Sequence, residues 1–293
     1  MKAVAWSAAL LALAGPACAA AQAPAPVPAP ARAQVLRLGV AIPRMGEDRR
    51  ICPSPACSLA RGVELGIAEA ERVMTLTRRR LEVLPAASEL PAADALRRLM
   101  ESGADAVVGA AGTADCVAMA AAAEQLGRPF VNVGCRDDAL QRACRRWTWH
   151  VEAGEADYRS ARGRAGPVAV DAVDVALWHA SLQRFGAGEL NQRFRERFGA
   201  PMDAQAWAGW MGVKVVVEAW LRRNAVAAGL ETGRFDGHKG AALAFDRASR
   251  SLRQPLYVVA RDGAVTEVPP ESEAERTADA CARSGTAAAP EGR

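Results

Sequence analysis

Short apolar runs alternate with stretches whose apolar residues recur every three or four positions. Val35–Ala41 (VLRLGVA), residues 81–84, Ala106–Gly109 and residues 130–133 have strand length. Between them, 59–74 carries Leu59, Val63, Gly66, Ile67 and Ala70 at helical spacing, with Ser58 as the expected cap. A second helix is expected over 92–102, opened by Pro91 and ended by Gly103, with Leu96, Leu99 and Met100 on one face. The alanine-rich stretch Thr113–Leu126 reads as a third, stopped by Gly127. Strand and helix repeated three times before a fourth strand predict an α/β fold with a doubly wound parallel sheet. Parallel neighbours need a crossover helix, and that crossover is right-handed.

Residues 105–135 are the centre of this pattern. The strand Ala106–Gly109 runs into the small residues Ala110, Ala111 and Gly112, and Thr113 opens the helix behind them. A helix start presents unpaired N–H groups and a partial positive charge, which suits a carboxylate or phosphate. In open parallel sheets ligands sit beyond the carboxyl ends of the strands.

After Cys135 the pattern changes. A short helix is expected over 137–145 and a strand over 147–152. Residues 158–176 mix arginine, glycine and valine in short pieces. Two helices follow, 190–198 and Ala204–Arg223. The second carries Trp207, Trp210, Met211, Val217 and Leu221 as a stripe expected in the core. Strands over 254–260 and 264–268 flank Asp262-Gly263, a strong hairpin signal.

The N-terminus reads as an export signal. Lys2, an apolar run with Leu10, Leu11 and Leu13, Pro16 and Ala17-Cys18-Ala19 predict a signal peptide over 1–19. It is too short for a membrane anchor, so no membrane insertion is expected. Pro/Ala-rich 20–33 reads as a linker. The expected divisions are a first α/β lobe over 34–150, a reduced second lobe and helical segment over 151–234, returning strands over 235–268 and a flexible tail over 269–293. The formal net charge is +4. The arginine clusters lack interleaved aromatics, so they read as solvated faces and not as a nucleic-acid site. Six cysteines remain beyond Cys18, and an exported chain favours disulfides. Cys52 and Cys57 flank Pro53-Ser54-Pro55-Ala56, read as a non-helical loop, and are expected to pair. Cys135 has two candidate partners, Cys116 and Cys144.

Catalytic signatures are missing. There is no G-x-S-x-G elbow, no Walker loop and no G-x-G-x-x-G. His150, His179 and His238 are far apart in sequence. Asp137 and Asp138 read as a helix cap and first-turn charge. An enzyme is not expected, nor a cofactor or a metal.

The leading strand VLRLGVAIP, the helix RGVELGIAEA, the strand–turn AVVGAAGTAD and the strand PFVNVG together resemble the first lobe of type I periplasmic binding proteins. These are the leucine/isoleucine/valine-binding-like components of ABC importers. QRFGAGELNQRF, FDGHKG and LRQPLYVV look like the subgroup associated with pyrroloquinoline-quinone-dependent alcohol dehydrogenase systems. The resemblance implies a periplasmic protein of two α/β lobes that binds a small polar molecule without chemistry. Its implied partners are the membrane subunits of an ABC importer or, alternatively, a quinoprotein oxidation system served as an accessory. The implied first-lobe contacts fall in 109–113 and 134–137, at Gly112, Thr113, Gly134, Cys135 and Asp137, with Thr113 supplying the ligand-binding hydroxyl. Cys135 and Arg136 depart from the small or hydroxylated residues usual there. Residues 158–176 are too few for a βαβ unit of about 30 residues, so the second lobe is expected to be shortened.

Overall fold

The computed structural model describes residues 34–42, 54–87 and 89–271. The expected signal peptide and linker, Cys52 and most of the expected tail lie outside them. Five parallel strands form the main sheet: β1 (Val35–Ala41), β2 (Arg80–Pro85), β3 (Ala106–Gly109), β4 (Phe130–Asn132) and β5 (Thr148–His150). Their order is β2-β1-β3-β4-β5. The chain builds outward to one side of β1 and then reverses to the other, so a topological switch point lies between β1 and β3.

Helices cover both faces. α1 (Pro55–Leu76) packs on one, while α2 (Ala92–Glu101) and α3 (Thr113–Leu126) pack on the other. The strands supply both cores by alternation: Val108 faces the α1 side with Leu36 and Leu38, and Val107 faces the α2–α3 side with Leu96, Leu99 and Met119. This is the expected doubly wound α/β sheet, and the strand expected over 147–152 joins it as β5 beside β4.

α1 starts earlier than its pattern suggested. Ser54, not Ser58, is the cap, and its Oγ accepts from the Cys57 amide at 3.3 Å. Pro55 occupies the first helical position, where the missing N–H costs nothing. The loop read as non-helical therefore ends at Ser54, and Ser58 is buried within the helix.

α4 (Asp138–Arg142) precedes β5 in the chain and α5 (Glu155–Arg164) follows it. A 3-10 turn (Gly166–Val170) then leads to β6 (Ala172–Ala176). α5 was not anticipated, because only Tyr158 and Ala161 of its residues are buried and no apolar stripe shows. α6 (Ala187–Phe198), α7 (Ala204–Arg223) and α8 (Val226–Thr232) come next. The sequence reading set the first two of these in a second lobe. In the structure α7 lies across α1 on the main sheet, with Trp207, Trp210 and Met211 all within 1 % of complete burial. Glu69 of α1 accepts from Trp210 Nε1 at 2.8 Å and pairs with Arg193 of α6 at 2.8 Å. The aromatic stripe is core, as expected.

The remaining strands form two small antiparallel sheets, β7 (Phe235–Asp236) with β8 (Ala242–Phe245) and β9 (Leu252–Arg253), and β6 with β10 (Leu256–Ala260) and β11 (Val265–Val268). The hairpin between β10 and β11 turns at Gly263 (φ 84°), a conformation that glycine adopts freely. The late segment also reaches the main sheet: Ser251 bridges to His150 in parallel, and the His150 amide donates to the Arg250 carbonyl at 2.9 Å.

Candidate functional site

The carboxyl ends of β3 and β4 lead into the two loops expected to hold a ligand. After β3, Gly112 precedes α3 with extended backbone and has no side chain with which to cap the helix. Gly112 and Thr113 are exposed, and no side chain caps the first turn of α3.

After β4, the buried Asn132 side chain shapes the loop. Its Oδ1 accepts from the amides of Gly134 (3.1 Å) and Cys135 (2.8 Å), and its Nδ2 donates to the Cys135 carbonyl (2.8 Å). Cys135 is bonded to Cys116 in the first turn of α3. Of the two partners open to it by sequence, it takes the one across the neighbouring strand. Cys57 and Cys144 are each disulfide-bonded too. A Cβ at Gly134 would sit 2.8 Å from the Ala110 Cβ, so the two loops touch.

Gly112, Thr113 and Gly134 are all exposed on these two touching loops. Cys135 is 3 % exposed, and its bond to Cys116 ties the two loops together. The Asp137 carboxylate caps α4, accepting from the Leu140 amide at 2.7 Å.

A buried polar cluster that the sequence reading missed lies beyond β5. Glu152, 2 % exposed, accepts from the Tyr158 hydroxyl at 2.5 Å and lies 3.5 Å from Arg136 Nε. The Arg136 guanidinium covers the Tyr158 ring at 4.2 Å. Lys239, also 2 % exposed, donates to Gln254 Oε1 at 2.7 Å and the Pro255 carbonyl at 3.2 Å, and sits 3.9 Å over the Trp207 ring. Gln254 in turn donates to the Val151 carbonyl at 2.8 Å. Burial pushes the Glu152 carboxyl up against the pull of Arg136, and pushes the Lys239 ammonium well down against the pull of Glu152. One signal was available: Thr148, His150 and Glu152 alternate with Trp149 and Val151, a polar row inside an apolar strand.

His150 is buried on β5 beside Asn132 of β4. Its Nδ1 lies 3.1 Å from Asn132 Nδ2, whose amide is oriented by the loop, so Nδ1 accepts and the ring is neutral with its proton on Nε2. Burial lowers its pKa to about 4. The neutral ring is favoured in the folded state, so its contribution is complete above the unfolded pKa of about 6.5 and is lost as pH falls toward 4. At about 1.4 kcal/mol per pH unit this is about 3 kcal/mol. Glu152, with its raised pKa, works in the opposite sense as its carboxyl protonates. The difference between wild type and His150→Gln isolates the histidine. In urea melts at pH 7 and pH 4.5 the wild type should lose about 2–3 kcal/mol more than the variant. Equal losses would show that the ring is free to protonate.

A cavity of about 250 Å³ adjoins this cluster, walled by Gln141, Gly154, Ser160, Ser251 and Gln254. Among the described residues no helix is long and apolar enough to cross a membrane.

No protein-family model and no curated protein matches the sequence. Solved structures do match. An ABC transporter substrate-binding protein from Sphaerobacter thermophilus is 15 % identical, with a TM-score of 0.64 over 81 % of this chain and 97 % of its own. A leucine-, isoleucine-, valine-, threonine- and alanine-binding protein from Brucella ovis, in its closed conformation, is 9 % identical, with a TM-score of 0.65 over 82 % and 95 %. A solute-binding protein of an ABC transporter from R. palustris, in complex with benzoate, is 13 % identical, with a TM-score of 0.62 over 80 % and 96 %. With its five-stranded parallel sheet and helices on both faces, the chain has the fold of the type I periplasmic binding proteins.

Proposed function

We propose that this chain is an exported solute-binding protein, or a one-lobed derivative of one, that takes a small carboxylate-bearing solute without chemistry and serves an ABC importer. The observation that carries this is the placing of the uncapped α3 start, with Gly112 and Thr113 exposed, at the switch point between β1 and β3. A helix start offers amide donors and a partial positive charge, and the exposed Thr113 adds a hydroxyl, which supports an anion site there. The solved relatives named for amino acids and benzoate support a carboxylate as the ligand group. The importer subunits, the export signal and the contacts at Gly112, Thr113 and Gly134 belong to this proposal, whereas a quinoprotein partner rests on the sequence resemblance alone.

The same reading expects weak affinity. Between β5 and α6 the described chain offers only α5, a 3-10 turn and β6, and β6 pairs with β10 alone. A shortened second lobe leaves one side of the solute in water. Titration of isoleucine and of benzoate, followed by amide NMR shifts, should move residues 112–116 and 134–135 with Kd near millimolar, about −4 kcal/mol. Thr113→Val keeps the shape and removes one donor to a charged group, about 1.5–3 kcal/mol, so Kd should rise at least tenfold. Shifts confined to other regions, or an unchanged Kd in the variant, would remove the site from these loops.

A further inference from the structure

We infer that Asn132 and His150 form a latch on the loop after β4, and that protonation of the His150 ring opens it. Under the solute-binding reading the latch sets Gly134 for contact and acid loosens it. The latch itself is observed without a solute, so it stands or falls apart from that reading.

The two ends of one buried amide set the latch. Asn132 is 0 % exposed and pairs with His150 across β4 and β5. Its Oδ1 accepts from the amides of Gly134 and Cys135, at 3.1 and 2.8 Å, which fixes the oxygen on the loop side. Its Nδ2 donates to the Cys135 carbonyl at 2.8 Å and stands 3.1 Å from His150 Nδ1. An amide N–H only donates, so Nδ1 must present a lone pair. The histidine is anchored in turn. Its amide donates to the Arg250 carbonyl at 2.9 Å, and the residue is bridged to Ser251.

A charged ring carries N–H groups on both nitrogens. Nδ1–H would then face Nδ2–H, donor against donor. Turning the Asn132 amide over gives the ring an oxygen, but sets Nδ2 against the Gly134 and Cys135 amides. The ring is 1 % exposed, so swinging it aside disturbs the packing around it. With the ring in place, no orientation of the amide serves both a charged imidazole and the two loop amides. The Cys116–Cys135 bond still ties Cys135 to α3, so the freedom gained falls on the exposed Gly134.

The charged side chains on the elements around the ring are Glu152 on its own strand, Arg145 on the approach to β5, Asp137, Asp138 and Arg142 at α4, Asp115 and Glu124 on α3, and Arg250 on the bridging segment. Burial is the cause of the ring's lowered pKa, and none of these charges sets it. The ring is neutral above that pKa. The latch is therefore closed at neutral pH and opens as pH falls through about 4.

The test is a pH titration of the full chain labelled with nitrogen-15. In wild type the ring nitrogens should show the Nε2–H tautomer at neutral pH. The Gly134 and Cys135 amide shifts should inflect together with the ring near pH 4. In His150→Gln that inflection should vanish, leaving the smaller drift that Asp137, Asp138 and Glu152 produce as they titrate. In Asn132→Asp one carboxylate oxygen holds the two amides and the other holds a protonated ring. The ring should then titrate above about 6.5, and the amide inflection should move up with it. Amides that inflect equally in wild type and His150→Gln would overturn the latch, as would a ring that titrates while the amides stay still. The ring and amide signals are first compared in wild type, so the comparison holds even where a variant folds poorly.

Discussion

Gly62→Ala should destabilise the protein by about 3 kcal/mol or more, although alanine is the better helix former by about 1 kcal/mol. Gly62 faces α7 so closely that a Cβ would lie 1.9 Å from the Ala206 carbonyl oxygen and 2.8 Å from its Cα. The same crossing is close from the other side, where a Cβ at Gly209 would lie 2.4 Å from the Leu59 carbonyl oxygen. Both obstacles are backbone, which cannot rotate away as a side chain can. The helices must therefore separate, loosening Val63, Trp207 and Trp210 between them, and overpacking on this scale exceeds the usual 1–3 kcal/mol. Gly163→Ala in α5 is the control. Nothing lies within 4 Å of its Cβ position, so the intrinsic preference should appear as a small stabilisation. Urea midpoints of the two variants should move in opposite directions. A neutral Gly62→Ala would mean that α1 and α7 do not meet at this distance.

Trp207→Ala should cost about 4 kcal/mol or more. The indole is fully buried, stacks on Trp178 with 6.0 Å between ring centroids and 12° between planes, and donates to the Gly237 carbonyl at 3.1 Å. Removing a buried ring of this size costs about 3–5 kcal/mol. Lys239 adds to it. Its ammonium loses the ring 3.9 Å away, a contact worth about 2 kcal/mol when dry. Trp207→Phe keeps a π-face and most of the volume, and should recover more than half of the loss in the same urea titration. If the two variants lose the same stability, the ring face contributes nothing to holding Lys239.

The parallel sheet was legible in the sequence because each strand is a short apolar run and each crossover helix carries its own stripe. What a stripe covers is not legible. Periodicity shows that Trp207 and Trp210 are buried, but the α1 residues that α7 meets, Gly62, Gly66 and Glu69, lie far upstream, and no local pattern announces them. α5 stayed hidden because its sequence, EADYRSARGR, buries too little to leave a pattern. The start of α3 at Thr113 was visible because a strand, small residues and a helix start follow one another within a few positions. The Glu152–Tyr158–Arg136 group and Lys239 were not visible, since Lys239 arrives from a distant segment and only the folded chain puts it beside Trp207. The Cys116–Cys135 choice needed the strand order as well, because only adjacent β3 and β4 bring those loops together.

The position of α7 bears on how the chain is made. Residues 34–150 contain every strand of the parallel sheet, yet one face of that sheet and of α1 is covered by residues 204–223, and the edge of β5 is met by residues 250–251. A nascent chain at residue 150 would leave that apolar face open to water. Native contacts spanning such sequence separations make folding slow and late. The chain cannot commit to its native state until nearly all of it has been synthesised. The interval before that commitment is when it is most exposed to aggregation.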